Sequence, residues 1–477
     1  MDSRLILFTC VLAVVVDMQS VAGGEAANVL FVAVDDMRCD AACYGHAEAI
    51  TPNIDRLAKM GVRFDRAYCQ QALCNPSRAS LLCGKRPDTL GIWNLTKGFR
   101  EADPNIVTLP EYFKQNGYFT QGIGKIFHNW RTAAKGDPQS WSVPAVMHFA
   151  RHDDDKPLVE GDLPPDLATA PRCMKLDVPD SAYFDGRIAD LAVDSLKARG
   201  QDRKPFFLAV GFWKPHLPFN PPKKYWDLYK RNRIQLPQTT SRPDKCPEIA
   251  LHNSQEIMRA AGEDGLSEDE VRELRHGYLA GVSFLDAQLG KLLDELDQQK
   301  LTQNTVIVFW SDHGFHLGEN SLWCKTSNFE RDARVPLIIA APQMETAGQA
   351  TSSLSELVDL YPTLVDLCGL PMPSDLDGSS LVSVLESPSK QLKQGAYTQH
   401  PRPAYYKGKP DVMGVSVRTS RYRYTEWRKF ADGKVADTEV YDYQQDPHET
   451  QNVVSSVSAA QLAEFQQLLD AKFPTDR

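Results

Sequence analysis

Two apolar runs nearly three hundred residues apart each end in acids, and nothing else in the chain restricts its fold as strongly. Asn28-Val29-Leu30-Phe31-Val32-Ala33-Val34 leads into Asp35-Asp36, and Thr305-Val306-Ile307-Val308-Phe309-Trp310-Ser311 leads into Asp312-His313. Unbroken apolar runs of this length read as strands buried on both faces, the condition of parallel strands in α/β proteins. Ligand sites in open α/β sheets lie beyond the carboxyl ends of such strands. Both runs therefore carry acids to one kind of rim. Adjacent carboxylates repel unless a cation neutralises them, and Asp35, Asp36 and Asp312 together make a hard, oxygen-rich site that suits Ca²⁺ or Mg²⁺ better than zinc.

A second feature is the run from Cys74 to Gly84, Cys-Asn-Pro-Ser-Arg-Ala-Ser-Leu-Leu-Cys-Gly. Pro76 suits the first turn of a helix, where its missing N–H is not needed, and Ala79 to Leu82 continue it. Residue 74 then stands at a helix N-terminus, where backbone N–H groups and the macrodipole favour an anion. Arg78, one turn on, adds a permanent cation with a planar fork of donors suited to oxyanions. Taken alone, the run fits a helix start with a buried structural thiol equally well.

The pattern Cys-x-Pro-x-Arg resembles the signature of type I sulfatases. Asp35-Asp36, Gly124-Lys125, Lys214-Pro215-His216, Ser311-Asp312-His313-Gly314, Lys325 and Tyr441-Asp442-x3-Asp446-Pro447-x-Glu449-x2-Asn452 fall where that family has its motifs. Within the family the chain is most similar to the iduronate-2-sulfatase group. That narrower likeness rests on Arg86-Pro87-Asp88-Thr89, Gly124 to His128, Phe206 to Gly211, Trp323 to Phe329, His400-Pro401-Arg402-Pro403, Met413-Gly414 and Arg421 to Thr425. It implies an alkaline-phosphatase-like α/β fold: a large mixed sheet flanked by helices, with a smaller antiparallel-sheet subdomain. It also implies that Cys74 is oxidised to formylglycine by a formylglycine-generating or equivalent maturation enzyme. Asp35, Asp36, Asp312, His313 and residue 74 are then the expected metal ligands. Of the other site residues, Arg78 and His128 orient the hydrated aldehyde and Asp312 serves as a base. His216 protonates the leaving oxygen, while Lys125 and Lys325 neutralise sulfate. His316 is expected to border the pocket, and Lys214 is a further candidate cation for sulfate. Cys83 stands where the family usually has Thr.

Residues 1–22 read as a signal peptide, with Arg4 before an apolar core that ends in small residues. That core is too short to span a bilayer, and no other stretch is long and apolar enough. An exported protein, periplasmic or secreted, is expected. Its ten cysteines show no dense spacing that would fix a disulfide framework, and Cys39-x3-Cys43 is open to bridging, metal binding or neither. A net charge of −9 argues against nucleic acid as a partner and leaves any sulfated glycan to be held by a local pocket.

The remaining pattern alternates helix and strand. A helix is expected from Thr51, another over 107–116, a strand over 118–123 and a polar excursion over 130–180. Beyond these come a strand over 205–211 and a long helix opened by the capping box Ser267-x-x-Glu270, followed by strands 305–310 and 335–340 and a helix 357–368. Residues 28–370 form the catalytic domain in this reading. Residues 371–477 form the subdomain, with strands near 415–419 and 422–427 and a final helix over 458–473. Three functions remain distinct: an exported sulfatase acting on the 2-O-sulfate of a uronic acid such as iduronate, another sulfatase (choline sulfate included) or a phosphodiester or phosphonate monoester hydrolase, and a sulfated-glycan binding protein without chemistry. Intact Cys74, the acid pairs and Lys325 speak against the third.

Overall fold

The computed structural model describes residues 26–128, 135–148, 172–202, 204–259 and 265–474. The signal-peptide expectation and most of the 130–180 excursion lie outside these.

Strand β1 (Asn28–Asp35) is buried along its whole length. Its alternate residues serve two cores: Val29, Phe31 and Ala33 pack into one apolar cluster, Leu30, Val32 and Val34 into the other. The unbroken apolar run is thus explained by two buried faces. Strands β2 (Val62–Tyr68), β3 (Phe119–Gly124), β4 (Phe206–Pro215) and β5 (Thr305–Ser311) belong to the same sheet. Its order is Ser355–Glu356, β2, Arg334–Ala340, β5, β1, β4, β3. β1 lies parallel to both β4 and β5, whereas Arg334–Ala340 runs antiparallel to β5 and to β2. The rim beyond β1, β4 and β5 therefore collects three strand ends.

The long helix Glu268–Gln298 covers one face with Phe184–Gly200, and Ser267 caps it with the full reciprocal box. Helix α1 (Pro52–Met60) joins that face through Ile54 and Leu57. On the other face lie α2 (Cys74–Cys83), Leu109–Gln115 and Leu360–Leu367. The predicted helices and strands thus recur with ends shifted by a few residues. β2 is an addition: its alternation is interrupted at Asp65-Arg66, where the register with Arg334–Ala340 shifts between Phe64 and Ala67, and a bulge of this kind hides a strand from a period-two pattern.

A separate antiparallel sheet is formed by Ala396–Arg402, Val412–Arg418, Tyr422–Lys429 and Val435–Asp442. Helix Ala459–Asp470 covers it through Phe465 and Leu469, against Val415, Val417, Tyr424 and Val440. The two sheets are stitched together: Gln399 N donates to Gln70 O at 2.9 Å, and Tyr397 N to Glu356 Oε1 at 3.0 Å. Among the described residues all nine cysteines are free.

Candidate active site

Helix α2 begins at Cys74, with Leu73 extended before it, and Gly84 ends it at φ 65°. That left-handed backbone favours glycine at the helix end. All ten residues of α2 are buried, an unusual setting for a helix that includes Arg78. That guanidinium is satisfied by Asp312 Oδ2 from Nε at 2.7 Å, by Lys125 O at 2.5 Å and by Val34 O at 3.1 Å, with Asp35 Oδ1 at 3.6 Å. Arg78 thereby fastens α2 to the ends of β1, β3 and β5. Ser77 Oγ adds a bond to Asp312 O at 2.5 Å.

Cys74 Sγ lies 3.5 Å from Asp35 Oδ1 and 3.3 Å from His313 Nε2. Ligand atoms of Asp35, Cys74, Asp312 and His313 all fall within 4.8 Å of one another, and those of Asp36, Cys74 and His216 form an overlapping group. The imidazole of His313 donates from Nδ1 to Gly314 O at 2.9 Å, which turns the Nε2 lone pair of its neutral form toward the acids. Its Nε2 stands 3.4 Å from Asp36 Oδ1, an oxygen that is buried and accepts no hydrogen bond.

Charge at the site is uneven. Four carboxylates, Asp35, Asp36, Asp312 and Glu256, face three cations, Arg78, Lys125 and Lys325. Burial alone would raise the Asp35 carboxyl, but Lys125, His216 and Arg78 outweigh it and hold that group well below its usual range. For Asp36 burial prevails over His216 and Lys325, and its carboxyl is pushed up. A ligand set of three carboxylates and one imidazole lone pair, with one carboxylate oxygen orphaned and one negative charge in excess, fits a hard divalent cation.

Lys125 is delivered by a close approach of two backbones. Gly124 has φ 80°, and a Cβ there would meet Gly211 O of β4 at 2.1 Å. Lys125 Nζ then ion-pairs with Asp35 Oδ2. Lys325 follows a short hairpin in which His316–Leu317 pairs with Trp323–Cys324. Both neighbours of Lys325 are left-handed, Cys324 at φ 70° and the β-branched Thr326 at φ 93°, conformations that cost roughly 1–3 kcal/mol each. Its ammonium reaches Asp36 Oδ2 at 3.1 Å, Glu256 Oε2 at 2.8 Å and His216 Nε2 at 3.4 Å. Burial opposes that charge, but Asp36 and Glu256 more than restore it, so the ammonium is held well above its usual range. The ring of His216 donates from Nδ1 to Leu217 O at 2.6 Å and presents Nε2 to Asp36 Oδ2 at 3.7 Å. Burial and then Lys125 keep His128 well below its usual range, hence neutral.

Several expectations change. Lys214 does not face the cluster: its Nζ donates to Pro218 O at 2.6 Å and His216 O at 3.1 Å, bracing the loop that carries His216, and burial lowers it to about 8 against Asp185. His316 pairs through Nδ1 with Asp332 Oδ1 at 2.6 Å, and its Nε2 is buried without a hydrogen-bond partner. Asp312 accepts from Arg78 Nε and from the amides of Asp36 and His313, and the carboxylate oxygen 3.5 Å from Cys74 Sγ is Asp35 Oδ1. Glu256 and Tyr405 were not anticipated. Glu256 sits in the short helix Gln255–Met258, and its Oε1 accepts from Tyr405 Oη at 3.0 Å. Neither residue carries a local pattern that would mark it.

The sulfatase family model matches residues 27–370, and a model described as N-sulphoglucosamine sulphohydrolase, C-terminal, matches 318–473. Iduronate 2-sulfatase of Mus musculus is 34% identical over 520 aligned positions, covering 91% of this chain and 93% of that protein, and the Homo sapiens enzyme is 34% identical with 89% of each covered. Among solved structures, a protein in complex with its substrate D-glucosamine-2-N,6-O-disulfate superposes with a TM-score of 0.76 at 24% identity, over 95% of this chain and all of that one. The phosphonate monoester hydrolase of Agrobacterium radiobacter gives 0.75 at 22%, over 94% and 96%. With a strand-end acid cluster, a helix N-terminal cysteine and two buried lysines converging as they do, this chain is a sulfuric ester hydrolase and belongs to the sulfatase family.

Proposed function

We propose that the protein is an exported sulfatase that removes a sulfate ester from a glycan, with the 2-O-sulfate of iduronate or a related uronic acid as its substrate. The observation that carries the reaction class is the meeting of Cys74 with Lys125 and Lys325 over one acid cluster: two buried cations stand where an anionic ester would enter. The narrower substrate rests on 34% identity to iduronate 2-sulfatases over most of both chains. The division near residue 370 into a catalytic part and a C-terminal part belongs to the same reading.

Converted to formylglycine, residue 74 supplies a hydrated aldehyde, one hydroxyl to attack sulfur and the other to expel sulfate as the aldehyde is restored. Asp35, Asp36, Asp312, His313 and residue 74 would hold Ca²⁺ or Mg²⁺, which would supply a Lewis acid to polarise the ester and favour the ionised nucleophile. Asp35, whose Oδ1 touches residue 74, takes the nucleophile's proton. Arg78 keeps the strand ends and the nucleophile helix in register, and neutral His128 orients the hydroxyls. As the bond from sulfur to the sugar oxygen breaks, His216 in its charged form gives its Nε2 proton to that oxygen. Lys125 and Lys325 balance the charge on the sulfate oxygens.

Hydrolysis of defined sulfated disaccharides, with products identified by mass spectrometry, tests this. The expected result is loss of one sulfate from a terminal 2-O-sulfated uronate. Cleavage of phosphonate monoesters in preference to every sulfate ester, the activity named for a neighbour of the same fold, would replace the proposal.

A further inference from the structure

Lys325 has three N–H donors, and the free site commits each direction: to Asp36, to Glu256 and toward His216 Nε2. Protonation of His216 at Nε2, which its role as the acid requires, releases only the 3.4 Å contact; a sulfate oxygen takes one of the two shorter directions only when Asp36 or Glu256 opens. Asp36 is fully buried, so opening that pair leaves a carboxylate without solvent. The Glu256 side chain is 27% exposed and can replace Lys325 by water. It also has a second partner in place, the hydroxyl of Tyr405, whose side chain is itself exposed. The backbone beneath Glu256 is pinned to the hairpin that carries Lys325: Ser254 Oγ accepts from Trp323 N at 2.9 Å, and Ile257 is fully buried. Movement is therefore confined to the side chain.

We propose that Glu256 is a built-in competitor of sulfate for Lys325. It turns toward Tyr405 and solvent when the ester enters and returns to the ammonium when inorganic sulfate is released, so that the product leaves a site whose cation is already neutralised. This rests on the reading of the site as a sulfate-ester site. Glu256 acts through Lys325 and is a positioning residue.

The test measures inhibition by inorganic sulfate of nitrophenyl sulfate hydrolysis on matured, metal-loaded enzyme. Glu256→Gln, which keeps shape and removes charge, is expected to lower the inhibition constant about fivefold, the size of one partly exposed ion pair. Glu256→Asp keeps the charge and stays near the wild-type value. Tyr405→Phe removes the partner that receives the released carboxylate and moves the constant the other way, to weaker inhibition. An unchanged or higher constant in Glu256→Gln overturns the proposal, as does a Tyr405→Phe enzyme that binds sulfate more tightly. A wild-type enzyme that hydrolyses nitrophenyl sulfate but is not inhibited by sulfate overturns this proposal alone, whereas an enzyme that hydrolyses no sulfate ester removes the sulfate-ester reading and this proposal with it.

Discussion

Thr326 and Cys324 hold Lys325 on backbone that their own side chains resist, and Asp36, its ion-pair partner, is left-handed as well at φ 62°. Strain on one member of the pair and on both neighbours of the other accumulates where atoms must be placed for chemistry. The roles of these groups separate in mutant kinetics. A sugar hydroxyl leaves poorly without a proton, whereas nitrophenolate leaves well, so His216→Ala is expected to slow a sulfated uronate at least about 100-fold more than nitrophenyl sulfate. Lys325→Ala is expected to slow both. Steady-state kcat/KM on the two substrates decides, and equal losses for His216→Ala would reduce it to a sulfate-binding group. At this scale Asp35, Asp36, Cys74, Arg78, Lys125, His216, Asp312 and His313 stand at strand ends or a helix start, where local pattern speaks, whereas Lys325 was marked only by the family resemblance. Lys214 misled because the same spacing that brings His216 to the rim says nothing about which way a neighbouring lysine turns. Glu256 was invisible because its meaning comes from a residue 69 positions away.

Among the elements, the long helix shows how local chemistry and burial divide the work. Its capping box was readable from Ser267-x-x-Glu270, and Ser267→Ala is expected to cost about 1 kcal/mol in chemical unfolding without touching the site. The small sheet was only half readable, because Ala396–Arg402 contains Gln399, His400 and Pro401, residues a strand pattern discounts, yet all seven of its residues are buried between the two sheets. In that sheet Glu439 accepts from Trp427 Nε1 at 2.8 Å and from Tyr441 Oη at 2.8 Å, and burial still pushes it up to about 7. A folded value above the unfolded one means that its contribution to stability is whole below about 4.5 and is lost as pH rises through about 7. Glu439→Gln does not titrate. Between pH 4.5 and pH 8 the wild type is therefore expected to lose roughly 3 kcal/mol relative to the variant, read from paired urea titrations.

In the whole molecule, the single reversed strand Arg334–Ala340 joins β2, and with it the entry to α2, to the parallel core of β5, β1 and β4. Sequence showed that strand but not its direction, since burial on both faces looks alike either way. Residue 74 lies against Asp35 and His313 at two strand ends, and Cys74 is 2% exposed in the finished fold. Timing follows from that burial. An enzyme that modifies a side chain needs the surrounding peptide drawn out into its own cleft, and a helix with ten buried residues cannot be drawn out of a closed protein. Any maturation of Cys74 is thus an event in the life of the unfinished chain, and a molecule that closes first keeps its thiol for good. Bulky maleimides should leave Cys74 of unmodified folded protein unlabelled over hours and label it within minutes in denaturant, as peptide mass mapping would show. Under the proposed formylglycine mechanism, yield of active enzyme is then set by a race between modification and folding, and slowing the second raises the share of molecules that can work.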